Sequence, residues 1–310
     1  MANELIYLTN ATHYDTIDAP TQAGDLFGLQ RTSAGLFEWG QLSNKVVEVT
    51  DPSHFGVIDS TKVYVVSNVD MGTTSIEVPI GGINIVGYTF DVSNLFSSED
   101  NYTMFTSPVG GSGNILIENC SLSTSGTSSS VFASVDSDGT HAIELNKVNF
   151  NNCTSLGYME DYRQVLENGT GRFGGTPELE LKGAMNGFSV NTSIVRGLGN
   201  IISLYKTGAG LLFSGRFITN INCDLPAIGA LFDFSDSEFT NHDSLVVNGA
   251  YITRQGVINT DDLSVHPNIN ESSVLFAALK RNYLLKNKGY FVSSICVYGI
   301  AISTTIGGKT

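Results

Sequence analysis

The chain has 310 residues and a formal net charge of −14, with only 15% charged side chains and 33 glycines. An acidic surface of this kind excludes binding to a nucleic-acid backbone, which needs a basic face, and works against docking on an anionic membrane. The length is large for one compact core, whereas a solenoid grows along a single axis without that limit.

Residues 1–60 differ in texture from the rest of the chain and are read as an N-terminal cap or attachment segment. They contain the one tryptophan, in the run Gly35-Leu-Phe-Glu-Trp-Gly40. Phe37 and Trp39 suit either an exposed anchor seated in a partner's groove or an apolar cap over the first turn of a repeat array. From Lys62 onward short β-branched runs set in: Val63-Tyr-Val-Val66, Ser75-Ile-Glu-Val-Pro79 and Ile83-Asn-Ile-Val-Gly-Tyr88, with Pro79 and Gly81-Gly82 marking a corner. A frame of one apolar residue, four mixed residues and a second apolar residue then recurs. It stands in Ile85–Phe90, Ile117–Leu122, Leu145–Phe150, Phe213–Ile218, Phe234–Phe239 and Val247–Ile252, and in Leu181–Phe188 with two residues inserted. Self-similarity built of short strands and turn residues predicts an all-β solenoid, a β-helix, over 61–262. Unequal spacing between copies is tolerated where loops of different size leave one face. A multi-sheet β-sandwich gives similar alternation and is the rival fold.

Asn and Gly suit left-handed corners, and Ser and Thr suit ladders between turns. Cys120, Cys153 and Cys223 each follow an asparagine, which predicts free thiols packed as small hydrophobes at similar places in successive turns. Ser121 to Thr140 reads as a protruding polar loop, and Tyr158–Glu167 as a short helix with a glycine-rich exit. Residues 263–310 are read as a C-terminal cap or oligomerisation segment. Their charge inverts: 271–310 hold five basic residues and only Glu271 as an acid, and 289–307 are uncharged. Serines and threonines dilute that uncharged stretch, which favours a strand pair over a membrane span.

The runs Asp51-Pro-Ser-His-Phe-Gly-Val-Ile-Asp59, Val63-Tyr-Val-Val66, Val69-Asp-Met-Gly72 and Ile76-Glu-Val-Pro-Ile-Gly-Gly-Ile-Asn-Ile-Val-Gly87 carry a resemblance. Over about residues 50 to 255 the chain resembles bacteriophage fibre and spike proteins built on a right-handed parallel β-helix. It looks most like fibre-type virion proteins of short-tailed phages of Bacteroidetes, including crAss-like phages. The resemblance implies a structural component of the virion that assembles with other virion proteins and attaches to a host-surface glycan. It also implies a homotrimer around the long axis. Enzymatic tailspikes usually enter the β-helix through an Asp-Gly-x-x-Asp-Asp-Thr type segment, which this chain lacks, and that weakens any transfer of depolymerase activity.

The enzymatic alternative is polysaccharide cleavage by paired carboxylates. Asp233, Asp236 and Glu238 fall within one expected turn, with Asp224 on the turn before, and Glu160-Asp161 is a second acidic pair. In a chain with 30 carboxylates a solvated acidic face is the ordinary reading. The five histidines are scattered and the cysteines lack paired spacing, so no metal site or cofactor is expected. Glycan binding without cleavage needs only exposed aromatics beside polar groups, for which Tyr158, Tyr162 and Tyr205 are the candidates.

Overall fold

A computed structural model describes residues 45–201 and 203–208, together with the strands Phe27–Arg31, Phe37–Gln41, Leu212–Leu225, Ala230–Asp233, Ser244–Val247, Tyr251–Arg254 and Ile269–Asn270. The fold is an all-β parallel solenoid of about six turns, with almost no helix among the described residues. Its three faces are laid down in rotation. The first carries Val46–Val49, Val63–Val66, Ile83–Gly87, Ile115–Glu118, Ala142–Asn146 and Gln164–Asn168. The second carries Asn68–Asp70, Asn94–Ser97, Ser121–Thr124, Asn149–Asn151 and Gly171–Phe173, and the third Ile76–Glu77, Thr103–Thr106, Ser130–Val135, Gly157–Glu160, Leu179–Lys182 and Ser203–Thr207. The long strands Ala184–Arg196 and Leu212–Leu225 run through the first two faces without a corner, so hydrogen bonding joins those faces into one 15-stranded sheet beside a separate 8-stranded one. The parallel ladder already includes Val46–Val49, upstream of Lys62.

Stacking in register explains why this sequence closes into turns. On the first face Tyr64, Ile85, Ile117 and Leu145 are successive Cα partners, and on the second Val69, Leu95, Leu122 and Phe150. All eight are buried and form rows through one continuous core. In Ile117–Leu122 and Leu145–Phe150 the six-residue frame is therefore one inward residue from each of the first two faces with the corner between them; the expected copy Ile85–Phe90 is not one, because Phe90 is exposed in a longer corner and Leu95 takes the inward place. Left-handed backbone makes the corners: Asn119, Lys147 and Gly169 between the first and second faces, and Asn152, Gly174 and Gly197 between the second and third, all have φ between 51° and 70°. Asn and Gly adopt that conformation at least cost, in keeping with the composition.

Several local expectations are corrected. Ser121 to Thr140 is not a protruding loop, because Ser121–Thr124 and Ser130–Val135 are ladder strands with buried Leu122, Val131 and Phe132. Some of its hydroxyls bond between turns, as in the Thr103–Ser130 pair at 3.0 Å, while Thr124 Oγ1 and Ser134 Oγ are buried with no such partner. Tyr158 to Glu167 is not a helix. It is the strand Gly157–Glu160, a corner at Asp161 (φ 61°) and the strand Gln164–Asn168; ladder pairing of Met159 with Leu181 and of Val165 with Ile143, on two different faces, overrides helix propensity. Cys120 and Cys153 are buried free thiols, but Cys120 sits at the corner between the first and second faces and Cys153 at the next corner, so they are not equivalent.

One turn departs from the apolar rule. Leu145 is followed in its row by Glu167, and Phe150 by Arg172, both fully buried. Arg172 Nη2 donates to Glu167 Oε1 at 3.0 Å, and Arg172 Nη1 donates to the carbonyls of Pro177 (2.9 Å) and Leu204 (3.1 Å). The Tyr205 hydroxyl (3.1 Å) and the Thr170 hydroxyl (3.2 Å) donate to Glu167 Oε2, and the Arg172 guanidinium lies 4.3 Å from the Tyr205 ring centroid. Two buried charges are tolerable only with pairing of this extent.

Candidate functional site

Because inward positions are consumed by the core, anything the shaft binds must meet its outward rows or corners. On the third face Tyr158, Glu180 and Lys206 are consecutive Cα partners pointing away from the core, and Asp233 is the next Cα partner of Lys206. Lys182, two residues along the strand from Glu180, places its ammonium 4.0 Å from the Tyr158 ring centroid and 3.7 Å from the Glu180 carboxylate. Lys206 lies 3.9 Å from the same carboxylate. The result is a flat strip of alternating charge around one half-exposed aromatic ring, repeating at about 4.8 Å per ladder step. Strips of this kind offer donors and acceptors for hydroxyl-rich ligands; their exposed ion pairs add little to stability.

The sequence-derived candidates separate on inspection. Tyr158 lies on this strip. Tyr162 does not: it is fully buried, its hydroxyl pairs with that of Ser112, and burial pushes its pKa up to about 12. The segment expected to be a helix is a strand and a corner, which turns this side chain into the core. Tyr205 is likewise buried, in the Glu167–Arg172 cluster. Asp233 belongs to the third-face strand Ala230–Asp233, whereas Asp224 ends the strand Leu212–Leu225 on the second face, so these two do not share a face. Asp236 and Glu238 lie outside the described residues. Asp161 caps its corner by accepting the Ala184 N–H at 2.8 Å and is structural. Phe37 and Trp39 fall in an antiparallel pair in which Trp39 faces Leu29 and Phe37 faces Arg31 along the backbone register.

Two features carry little signal in the sequence. The Asp136 carboxylate is buried at the corner between the third and first faces. It accepts the backbone N–H groups of Asp138 (3.0 Å) and His141 (2.7 Å) and sits 3.0 Å from His141 Nδ1. Burial alone would raise its pKa, but the bonds from His141 and Asp138 outweigh that and hold it below the ordinary value. The run Asp136-Ser-Asp-Gly139 is a turn signature that marks the corner but not the pair. The second feature is the exposed apolar loop Tyr88–Val92, whose only sequence signal is its length relative to other corners.

Among the described residues no group of three or more His, Cys, Asp or Glu is placed to hold a metal ion. No protein-family model, no curated protein and no solved structure matches the chain.

Proposed function

We propose that the protein is a structural shaft of a phage virion fibre or spike, which assembles as a homotrimer with other virion proteins and presents its third face to host-surface glycan. The observation that supports this most directly is the unbroken parallel ladder with a filled core. Such a ladder is a rod by construction, and its work is done on outward rows repeated along the axis. The resemblance of residues 50 to 255 to phage fibre and spike proteins supports the virion setting. A ladder of unpaired strand edges at either end of an acidic rod would need partners to cover it. The segment 263–310, basic and rich in apolar residues, has the composition for one such contact. Light scattering on the full-length protein tests this reading: three copies per particle support it, and a single copy contradicts it.

A second reading, a polysaccharide depolymerase, is favoured by one observation. Glu180 and Asp233 share a backbone row two ladder steps apart, with Lys206 between them. That places their Cα atoms roughly 10 Å apart by strand spacing, close to the carboxylate separation of inverting glycosidases. Release of reducing sugar from host capsule or lipopolysaccharide, lost in Asp233→Asn, would establish the enzyme; no release in either protein is the outcome expected for a shaft.

A further inference from the structure

The third-face strands carry four acids, Glu77, Glu160, Glu180 and Asp233, and two cations, Lys182 and Lys206. Neither lysine is free. Lys182 is the Cα partner of Glu160, lies 3.7 Å from the Glu180 carboxylate and covers the Tyr158 ring at 4.0 Å. Lys206 stands between Glu180 and Asp233 in its backbone row and lies 3.9 Å from the same Glu180 oxygen. The Glu178 carboxylate, just ahead of Leu179–Lys182, accepts the Ser203 N–H at 2.9 Å. Arg163, an exposed cation, lies beyond the corner at Asp161, where the first-face strand Gln164–Asn168 begins. Among the described residues, a ligand bringing its own negative charge finds no unpaired cation on this face, and a chain of net charge −14 behind it.

The two turns before Tyr158 differ. The half-buried residues of their third-face strands are Thr103, Thr106, Ser130, Ala133 and Val135, all uncharged. Thr106, Ala133 and Tyr158 are consecutive Cα partners, so an alanine stands beside the aromatic ring on the side away from Glu180. Lys182 covers one face of that ring, and Ala133, with a single methyl group, cannot cover the other. The open face borders the Thr106 hydroxyl and the hydroxyl pair of Thr103 and Ser130. An aromatic face carries negative charge density and receives the weakly positive C–H groups of a sugar ring, while hydroxyls supply hydrogen bonds without charge. Ladder pairing on both sides holds this backbone in place before any ligand arrives.

We propose that the third face takes a neutral polysaccharide, with one sugar ring stacked on the open face of Tyr158 beside Ala133 and Thr106, and that it rejects glycans bearing carboxylate, sulfate or phosphate. The proposal rests on the reading of this face as glycan-facing and adds the charge class of the glycan and the residue it packs on. Two observations select a neutral ligand. An anionic group gains nothing from Lys182 or Lys206 that Glu180 does not already supply, and it meets Glu77, Glu160 and Glu180 as like charges. A cationic ligand would meet carboxylates anywhere on this acidic chain and has no need of the uncharged patch, whereas a neutral sugar depends on the patch and on Tyr158.

The test measures binding of the full-length protein to an array of purified polysaccharides: neutral (dextran, mannan, galactan), anionic (alginate, dextran sulfate) and cationic (chitosan). Binding to at least one neutral polysaccharide is expected, changing less than about twofold between low and high salt, with the anionic ones at least about tenfold weaker. Preference for an anionic polysaccharide, or binding confined to chitosan and lost in salt, overturns the charge class. No binding to any member overturns the glycan reading of this face as well. Tyr158→Ala should weaken neutral-glycan binding at least about tenfold, and unchanged binding would overturn the stacking. The pair Glu160→Gln with Glu180→Gln releases Lys182 and Lys206 from these carboxylates and should admit dextran sulfate, a gain that an unfolded variant cannot produce. Absence of that gain in a folded variant would overturn the part given to the paired charges.

Discussion

The turns containing Ile85, Leu95, Ile117, Leu122, Leu145 and Phe150 differ from the turn containing Glu167 and Arg172 in the chemistry placed at the same positions of the ladder. In the first region inward rows are apolar, and a slip by one turn would exchange one apolar residue for another. In the second, two opposite charges complete each other inside the core, and a slip would strand a charge among Leu and Phe. Apolar rows supply stability, and we expect the ion pair to supply phase by penalising stacking on the wrong turn.

The comparison is most strongly broken by removing one charge. Arg172→Met, or Glu167→Leu, is expected to lose about 3–5 kcal/mol in chemical denaturation, because the remaining charge is buried without its partner. The double change Glu167→Leu with Arg172→Met should recover most of that and can exceed wild-type stability by up to about 4 kcal/mol. A double variant as unstable as either single one would mean that the charges do more than match each other. Phe150→Ala, in the apolar region, should cost about 3–5 kcal/mol through its cavity, with no second change able to restore it.

A smaller effect is expected at Gly157. It stands in the third-face row between Phe132 and Leu179 with φ of 76°, and a Cβ there would overlap the Phe132 carbonyl oxygen. Gly157→Ala should therefore cost about 1–3 kcal/mol from backbone strain, with further loss if the strand shifts. Thiol labelling sharpens the contrast without altering stability. Burial pushes Cys120 up to about 12 and Cys153 to about 11, so both should resist alkylation at neutral pH and react only after unfolding. Fast labelling of the native protein, mapped to either residue, would show that the apolar rows open.

The smallest effect concerns acid. The Asp136 carboxylate is held below its ordinary pKa in the folded state, so its contribution is present above the unfolded value of about 3.9 and is lost as pH falls through the folded value. Asp136→Asn should remove part of the stability difference between pH 7 and the region below about pH 4, and leave the rest of the acid transition in place.

Much of the ladder is legible in the sequence because period and corner chemistry are local. Ile117 to Leu122 and Leu145 to Phe150 are true repeats, and Asn119, Asn152 and several glycines mark true corners. The features that escape a sequence reading depend on neighbours several turns away. Nothing local to Tyr162 shows that its hydroxyl meets Ser112, nor that Glu167 and Arg172 occupy core rows. Charged residues in a polar-looking run read as surface until the register is known. Asp224 and Asp233 look like neighbours because sequence distance suggests adjacent turns, whereas the long strand Leu212–Leu225 consumes two faces before the third begins. The segment Ser121–Thr140 misleads for a related reason: hydroxyls that ladder between turns have the composition of a loop.

The reading of the chain as an assembling shaft is tested most directly by electron cryo-microscopy of the full-length protein. Three parallel shafts are expected around a common axis. Isolated single shafts would contradict that reading.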